Sequence, residues 1–235
     1  MKVEIWSDVM CPFCYIGKRR FEEALTQFEY SEDIRVEWKS FQLQPNLQTQ
    51  PDKNMAEHLA QTKGWSTEQI AQMQQRIIDM AGDANLEFNF EDAVVANSLN
   101  AHRLAHFAKS QDKGDAVEEA LFKAHFTDGK NIDDVEVLAA LAESIGLDAK
   151  EARNILKGDQ YAKAVKDDIR ESQKVGVQGV PFFVFNREYA VSGAQPTQAF
   201  LEALQKSWKE WNSQQQPATL DSATGDVTCG PDGNC

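Results

Sequence analysis

The chain has little cysteine: four in 235 residues, two near each end and none between Cys14 and Cys229. A disulfide framework in a chain this long would spread its cysteines throughout, so that architecture is set aside. Basic residues are also scarce, with 24 Lys and Arg against 37 Asp and Glu and a net charge of -13. Such a surface repels phosphate backbones and anionic lipid heads, which argues against nucleic acid and membrane surfaces as partners. No apolar run approaches the ~20 residues that span a bilayer. Met1-Lys2-Val3-Glu4-Ile5-Trp6-Ser7-Asp8 also lacks the long apolar stretch and small-residue cleavage site of a signal peptide. The expected compartment is the cytoplasm, and in a reducing cytoplasm close cysteine pairs point to redox chemistry or metal binding.

What is present is enough apolar material, 42% of residues, for a core. Its periodicity changes twice along the chain. Lys2 to Asp8 reads as a strand with Val3 and Ile5 on one face, Val9 to Cys14 as a turn, Tyr15 to Tyr30 as a helix, and Ile34 to Leu43 as a second strand. The middle reads as helices over Met55 to Lys63, Thr67 to Ala81, Glu91 to Lys109, Asp115 to Phe126, Asp133 to Ile145, Ala149 to Leu156 and about Gln160 to Lys174. Pro181 to Phe185 and Tyr189 to Ser192 form a hairpin pattern around Asn186-Arg187, and Thr197 to Trp211 is a final helix. The expectation is an α/β fold in which βαβ (1–52) and ββα (175–212) halves share one sheet. An all-helical insertion (53–174) separates them, and a polar tail (213–235) follows.

Cys11-Pro12-Phe13-Cys14 is the central chemical signal. A C-x-x-C alone also fits half a zinc site, so context decides. Here it joins a strand to the first turn of a helix, where unpaired N–H groups and the helix dipole favour an anion. A thiolate at Cys11 is then the nucleophile, and Cys14, one turn later, is the resolving thiol. Pro12 suits the first helical turn, and Phe13 is placed to contact substrate or set redox poise. Gly179-Val180-Pro181 has two readings: an edge-strand start, or a cis Val180–Pro181 bond that lies beside Cys11 and leaves the Val180 backbone free to pair with substrate.

The chain resembles the DsbA family and, within it, the FrnE-like cytoplasmic branch. The resemblance is carried by 7–17 (Ser-Asp-Val-Met-Cys-Pro-Phe-Cys-Tyr-Ile-Gly), Phe41 to Pro45, Asn97 to Leu104, Gly176 to Phe183 and Val191 to Pro196, in order between Lys2 and Trp211. It implies a thioredoxin-like fold with an inserted helical domain, and a cis Pro181 beside the cysteine pair. It implies thiol–disulfide exchange with protein or small thiol substrates, glutathione being admitted as a co-substrate and no cofactor required. The chain departs from the family's periplasmic oxidants at Phe13, where they carry His, and strongly oxidising character is not carried over.

A FrnE-like tail often ends as this one does, with Cys229-Gly230-Pro231-Asp232-Gly233 before Cys235. A linker of about 16 residues reaches roughly 20–24 Å, so the tail pair can visit Cys11 and act as a second redox pair. The alternatives are a frayed tail with passively oxidised thiols, or a zinc site formed by all four cysteines. His102 and His106 share a helix face without an evident third ligand. They read as ordinary helix residues, with His102 a candidate for the active cleft. Asp8 either tunes Cys11 or caps the helix, and Lys18, Arg19 and Arg20 read as a solvated face. Two other functions remain open: a glutathione-dependent isomerase or transferase of the same architecture, and a chaperone using the cleft between domains. The oligomeric state is left open.

Overall fold

The computed structural model describes residues 1–215. Strand β1 (Lys2–Ser7) is buried from Val3 to Ser7 because the sheet is covered on both faces. It pairs in parallel with β2 (Arg35–Ser40) and antiparallel with β5 (Phe182–Phe185), which in turn pairs antiparallel with β6 (Tyr189–Ser192). The resulting order is β2-β1-β5-β6, so the two ends of the chain complete one sheet. In the turn between β5 and β6, Asn186 and Arg187 both adopt positive φ, 49° and 63°, as tight antiparallel connections favour.

One face of the sheet packs against α1 (Pro12–Thr26) and α9 (Thr197–Gln215). Val3, Ile5, Phe21, Phe183 and Phe200 form this core, with the Phe183 and Phe200 rings 4.5 Å apart edge to face. The other face carries Trp6 and Val184. The Trp6 indole donates across 3.1 Å to the carbonyl of Asp168 in α8 (Ala162–Val175).

Between β2 and α8 lie α2 (Met55–Lys63), α3 (Thr67–Gly82), α4 (Leu99–Lys109), α5 (Gly114–Phe126), α6 (Val135–Ser144) and α7 (Ala149–Lys157). Their starts are chemically marked: Ser66 and Gln69 form a reciprocal capping box, and Asp134 and Asp148 each accept two first-turn N–H groups. These helices share a second core, which includes Leu104, Phe107, Leu121 and Phe122 and runs continuously into Cys11, Cys14, Tyr15 and Ile16. Helix α1 thus serves two cores. Phe21 and Ala24 face the sheet, while Tyr15 faces the helices and stacks on Phe122 at 5.0 Å.

The helix expected over Glu91 to Lys109 starts only at Leu99. Val94–Val95, a β-branched pair, forms strand β4 and pairs antiparallel with β3 (Gln50–Asn54) in a small second sheet. Asn97 then redirects the chain. Its Oδ1 accepts the Leu99 N–H at 2.8 Å, and its amide donates to the carbonyls of Pro45 and Leu47. Helix α1 also begins earlier than expected, at Pro12, so Cys14 lies within it and outside the preceding turn.

Candidate active site

Cys11 is the N-cap residue of α1, with extended backbone (φ −93°, ψ 111°) and Pro12 in the first helical position. Its N–H donates to the Asp8 carbonyl at 2.9 Å, and its own carbonyl accepts the Cys14 N–H at 3.0 Å. Cys11 is 4% exposed and Cys14 fully buried, and both are free thiols. Burial pushes the Cys14 thiol well up, and hydrogen bonding and charge from Cys11 add to the shift. The Val180–Pro181 peptide is cis. The Cys11 thiol donates to the Val180 carbonyl across 3.6 Å, so the Pro181 loop sits against the outer sulfur.

Beneath the turn lies a buried ionic cluster. The Asp8 carboxylate accepts the Leu43 N–H at 2.8 Å and the Met10 N–H at 3.3 Å, and lies 3.3 Å from His102 Nε2. Burial opposes its ionisation, but the hydrogen bond and charge of His102, with Leu43 and Ser98, outweigh that and hold the carboxyl below its ordinary range. For His102, burial opposes protonation, and Asp8, then Glu118, overcome it and raise the imidazole. Glu118, in α5, is buried, and its Oε2 has no hydrogen-bond partner. Burial pushes its carboxyl up to about 7 against the opposing charges of His102 and Lys18.

A family model described as a DSBA-like thioredoxin domain matches residues 2–205. The chain belongs to this DSBA-like thioredoxin family. The crystal structure of the probable DsbA oxidoreductase SCO1869 from Streptomyces coelicolor is similar at 38% identity and a TM-score of 0.85, covering 99% of this chain and 97% of that one. The uncharacterized protein YwbO of Bacillus subtilis is 28% identical over 210 residues, 88% of this chain and 98% of its own. The cytosolic disulfide reductase DsbM from Pseudomonas aeruginosa, solved with GSH, shares the fold at 20% identity and a TM-score of 0.56, covering 91% and 98% of the two chains.

In this DSBA-like chain the site residues named from sequence fall into three groups. Cys11, Cys14, Pro12, Phe13, Val180 and Pro181 converge at the start of α1. Asp8 and His102 lie under the turn as a buried pair, and Asp8 does not cap α1, since Cys11 holds that position. Cys229 and Cys235 lie outside the described residues.

The solvated face expected for Lys18, Arg19 and Arg20 is corrected. Lys18 is buried because α5 brings Glu119 to 3.0 Å and Asp115 to 3.5 Å, and Glu22 of its own helix also pairs with it. Arg19 pairs with Glu22 and Glu119, and Arg20 donates to the Ala194 carbonyl. His102 and His106 also take separate partners. His106 Nε2 lies 3.1 Å from Asp168, and no cluster of three or more metal-ligating side chains occurs among the described residues.

Three contributors escaped the sequence reading. Glu118 and His125 stand at ordinary helical positions and carry no local signal. Gly17 does carry one, since it breaks an otherwise favourable helix. A Cβ there would sit 3.0 Å from Pro181 Cγ and 3.4 Å from Phe183 Cζ, so any larger residue would push against the Pro181 loop, which glycine lets α1 approach closely. Gly17→Val is expected to cost about 2 kcal/mol of stability by overpacking and, by displacing Pro181, to slow disulfide exchange in the molecules that remain folded. Denaturant unfolding alongside a turnover assay checks this, and a variant matching the parent in both refutes the packing role.

Proposed function

We propose that the chain exchanges disulfides with protein or low-molecular-weight thiols through Cys11 and Cys14. The observation that carries this reading is Cys11 at the N-cap of α1, with Cys14 one turn inside and the Val180 carbonyl against the outer sulfur. In the reductive direction the Cys11 thiolate attacks a substrate disulfide, forming a mixed disulfide and releasing the first substrate thiolate, which takes up a proton. Cys14 then loses its proton and attacks Cys11. The second substrate thiol leaves, and the two electrons come from the protein's dithiol. Run in reverse, the protein disulfide oxidises a substrate dithiol. In isomerisation Cys11 attacks and is displaced without net electron transfer. The helix N-terminus supports the nucleophilic role of Cys11, and the burial of Cys14 supports its role as the resolving thiol.

The FrnE-like branch and the cytoplasm are the proposed subfamily and compartment, supported by the tail sequence and the sparse cysteines. Cys229 and Cys235 are proposed as a second pair that exchanges with Cys11. Glutathione is a proposed co-substrate, supported by its presence with DsbM of similar fold.

The test is equilibration in glutathione buffers followed by thiol trapping and mass measurement. Cys11 and Cys14 should convert together as one two-electron couple, tenfold in the equilibrium constant for about 30 mV. The Cys229→Ser/Cys235→Ser variant should lose a second transition and keep the first. A stable single glutathione adduct on Cys11, with Cys14 still a thiol, would instead favour the glutathione-dependent transferase reading.

A further inference from the structure

Folded proteins pair their buried polar groups, so an unpaired one calls for a reason. Ser7 is such a case. It is 2% exposed, and its Oγ has no hydrogen-bond partner. The residue closes strand β1, where its carbonyl is used and accepts the Phe41 N–H at 2.9 Å. The hydroxyl is left over. Burying a hydroxyl with nothing to bond destabilises a fold, and an alanine in its place would escape that cost.

The neighbour that accounts for it is the Cys14 sulfur. Cys14 is fully buried, and burial pushes its thiol well up, although this sulfur must become an anion to attack. Two groups of the strand end oppose the rise as hydrogen-bond donors to the sulfur, the Asp8 N–H first and then the Ser7 hydroxyl. Beside the neutral thiol the Ser7 contact is too loose to count as a bond, as its unpaired oxygen shows. A thiol sulfur is a weak acceptor. A thiolate is a strong one, because hydrogen bonds to ionised groups are shorter and roughly twice as strong as neutral ones. Ser7 therefore gains its partner when Cys14 ionises. Cys11 has different surroundings, since its thiol faces the Val180 carbonyl from the helix N-cap.

We propose that Ser7 is a hydrogen-bond donor held ready for the Cys14 thiolate, and that with the Asp8 N–H it sets the rate at which Cys14 resolves the mixed disulfide. The arrangement is the sulfur counterpart of an oxyanion hole: donors fixed in advance where negative charge develops. The inference rests on the thiol–disulfide reading above and adds a residue to its second step. In that step the Cys14–Cys11 sulfur bond forms and the bond from Cys11 to the substrate sulfur breaks. The departing substrate thiolate takes up one proton, which balances the one Cys14 releases. Ser7 keeps its own proton throughout and only shares it with the sulfur.

The experiment is a single turnover of a peptide disulfide by the full-length protein, quenched with acid at millisecond intervals and read by mass. Ser7→Ala should lengthen the life of the mixed disulfide on Cys11 by about ten- to a hundredfold, the scale of one hydrogen bond to a charged group. Adduct formation on Cys11, measured separately with Cys14→Ser in both backgrounds, should proceed at the same rate with Ser7 or Ala. The unfolding temperature of Ser7→Ala should equal or exceed the parent's, because the deleted hydroxyl had no partner to lose. Ser7→Thr keeps the O–H and should resolve faster than Ser7→Ala. A mixed disulfide as short-lived in Ser7→Ala as in the parent overturns the assignment. Equal slowing of both steps also overturns it, since that is the mark of altered packing, as does a folded Ser7→Thr no faster than Ser7→Ala. Absence of any adduct in Cys14→Ser overturns the underlying redox reading instead.

Discussion

Cys11→Ser should lower insulin-disulfide reduction by about a thousandfold or more, because it removes the nucleophile and not a contact to it. The substitution is close to isosteric, and Cys11 packs at the edge of the core, so the fold should persist and the loss is chemical. Cys14→Ser should behave differently. Cys11 keeps its place at the helix N-cap and can still attack, but the buried sulfur that would release the substrate is gone. That variant should accumulate about one equivalent of mixed disulfide per chain and stall there. Mass measurement after substrate exposure, before any added reductant, reads the adduct directly. Retained turnover in Cys11→Ser, or no adduct in Cys14→Ser, removes the assigned order of attack. The asymmetry follows from geometry. Cys11 reaches the Val180 carbonyl at the surface of the Pro181 loop, whereas Cys14 sits inside the helical core.

The residues that define this asymmetry were legible in the sequence because each states its own local rule. Pro12 suits the first helical turn, Cys11 and Cys14 differ by one turn, and the alternation of β1 with the short apolar run of β5 marks the two ends of the chain as strands of one sheet. Helices with capping residues were read to within a residue or two, as α3, α6 and α7 show. Signals that depend on distant partners were not legible. Val94–Val95 becomes a strand only because β3 lies alongside it, and Asn97 delays the next helix through bonds to Thr49, Pro45 and Leu47. Lys18 looked solvated because the carboxylate that buries it, Glu119, lies 101 residues away in sequence. Asp8, His102 and Glu118 come from a turn and two helices and meet only in three dimensions. Spacing along the chain carries no trace of such a meeting.

Two buried groups should pull the pH dependence of stability in opposite directions. Burial pushes His125 down to about 4, so between there and its ordinary value of 6.5 the unfolded chain binds a proton that the folded protein refuses. Stability from this group therefore rises with pH across that window, and about 3 kcal/mol is lost on acidification below it. Burial pushes Glu118 up to about 7, against an ordinary value of 4.5, in the field of Lys18 on α1, His102 on α4, Asp115 on its own helix and Asp8 in the turn. Here the folded protein holds a proton that the unfolded chain has released. Stability from this group falls as pH rises through the window, again by about 3 kcal/mol. The slopes overlap between about 4.5 and 6.5 and largely cancel in the parent protein. Each substitution should expose the other slope. Glu118→Gln should leave stability close to the parent near pH 4.5 and raise it by about 3 kcal/mol at pH 8, where the parent must ionise a buried carboxyl. His125→Leu should gain most at pH 4 and should steepen the fall towards pH 7. Urea unfolding midpoints at half-unit pH steps resolve both curves. A Glu118→Gln curve parallel to the parent's from pH 4.5 to 8 would show that this carboxyl ionises normally inside the fold. It would also show that the buried charges of Asp8 and His102 are balanced without it.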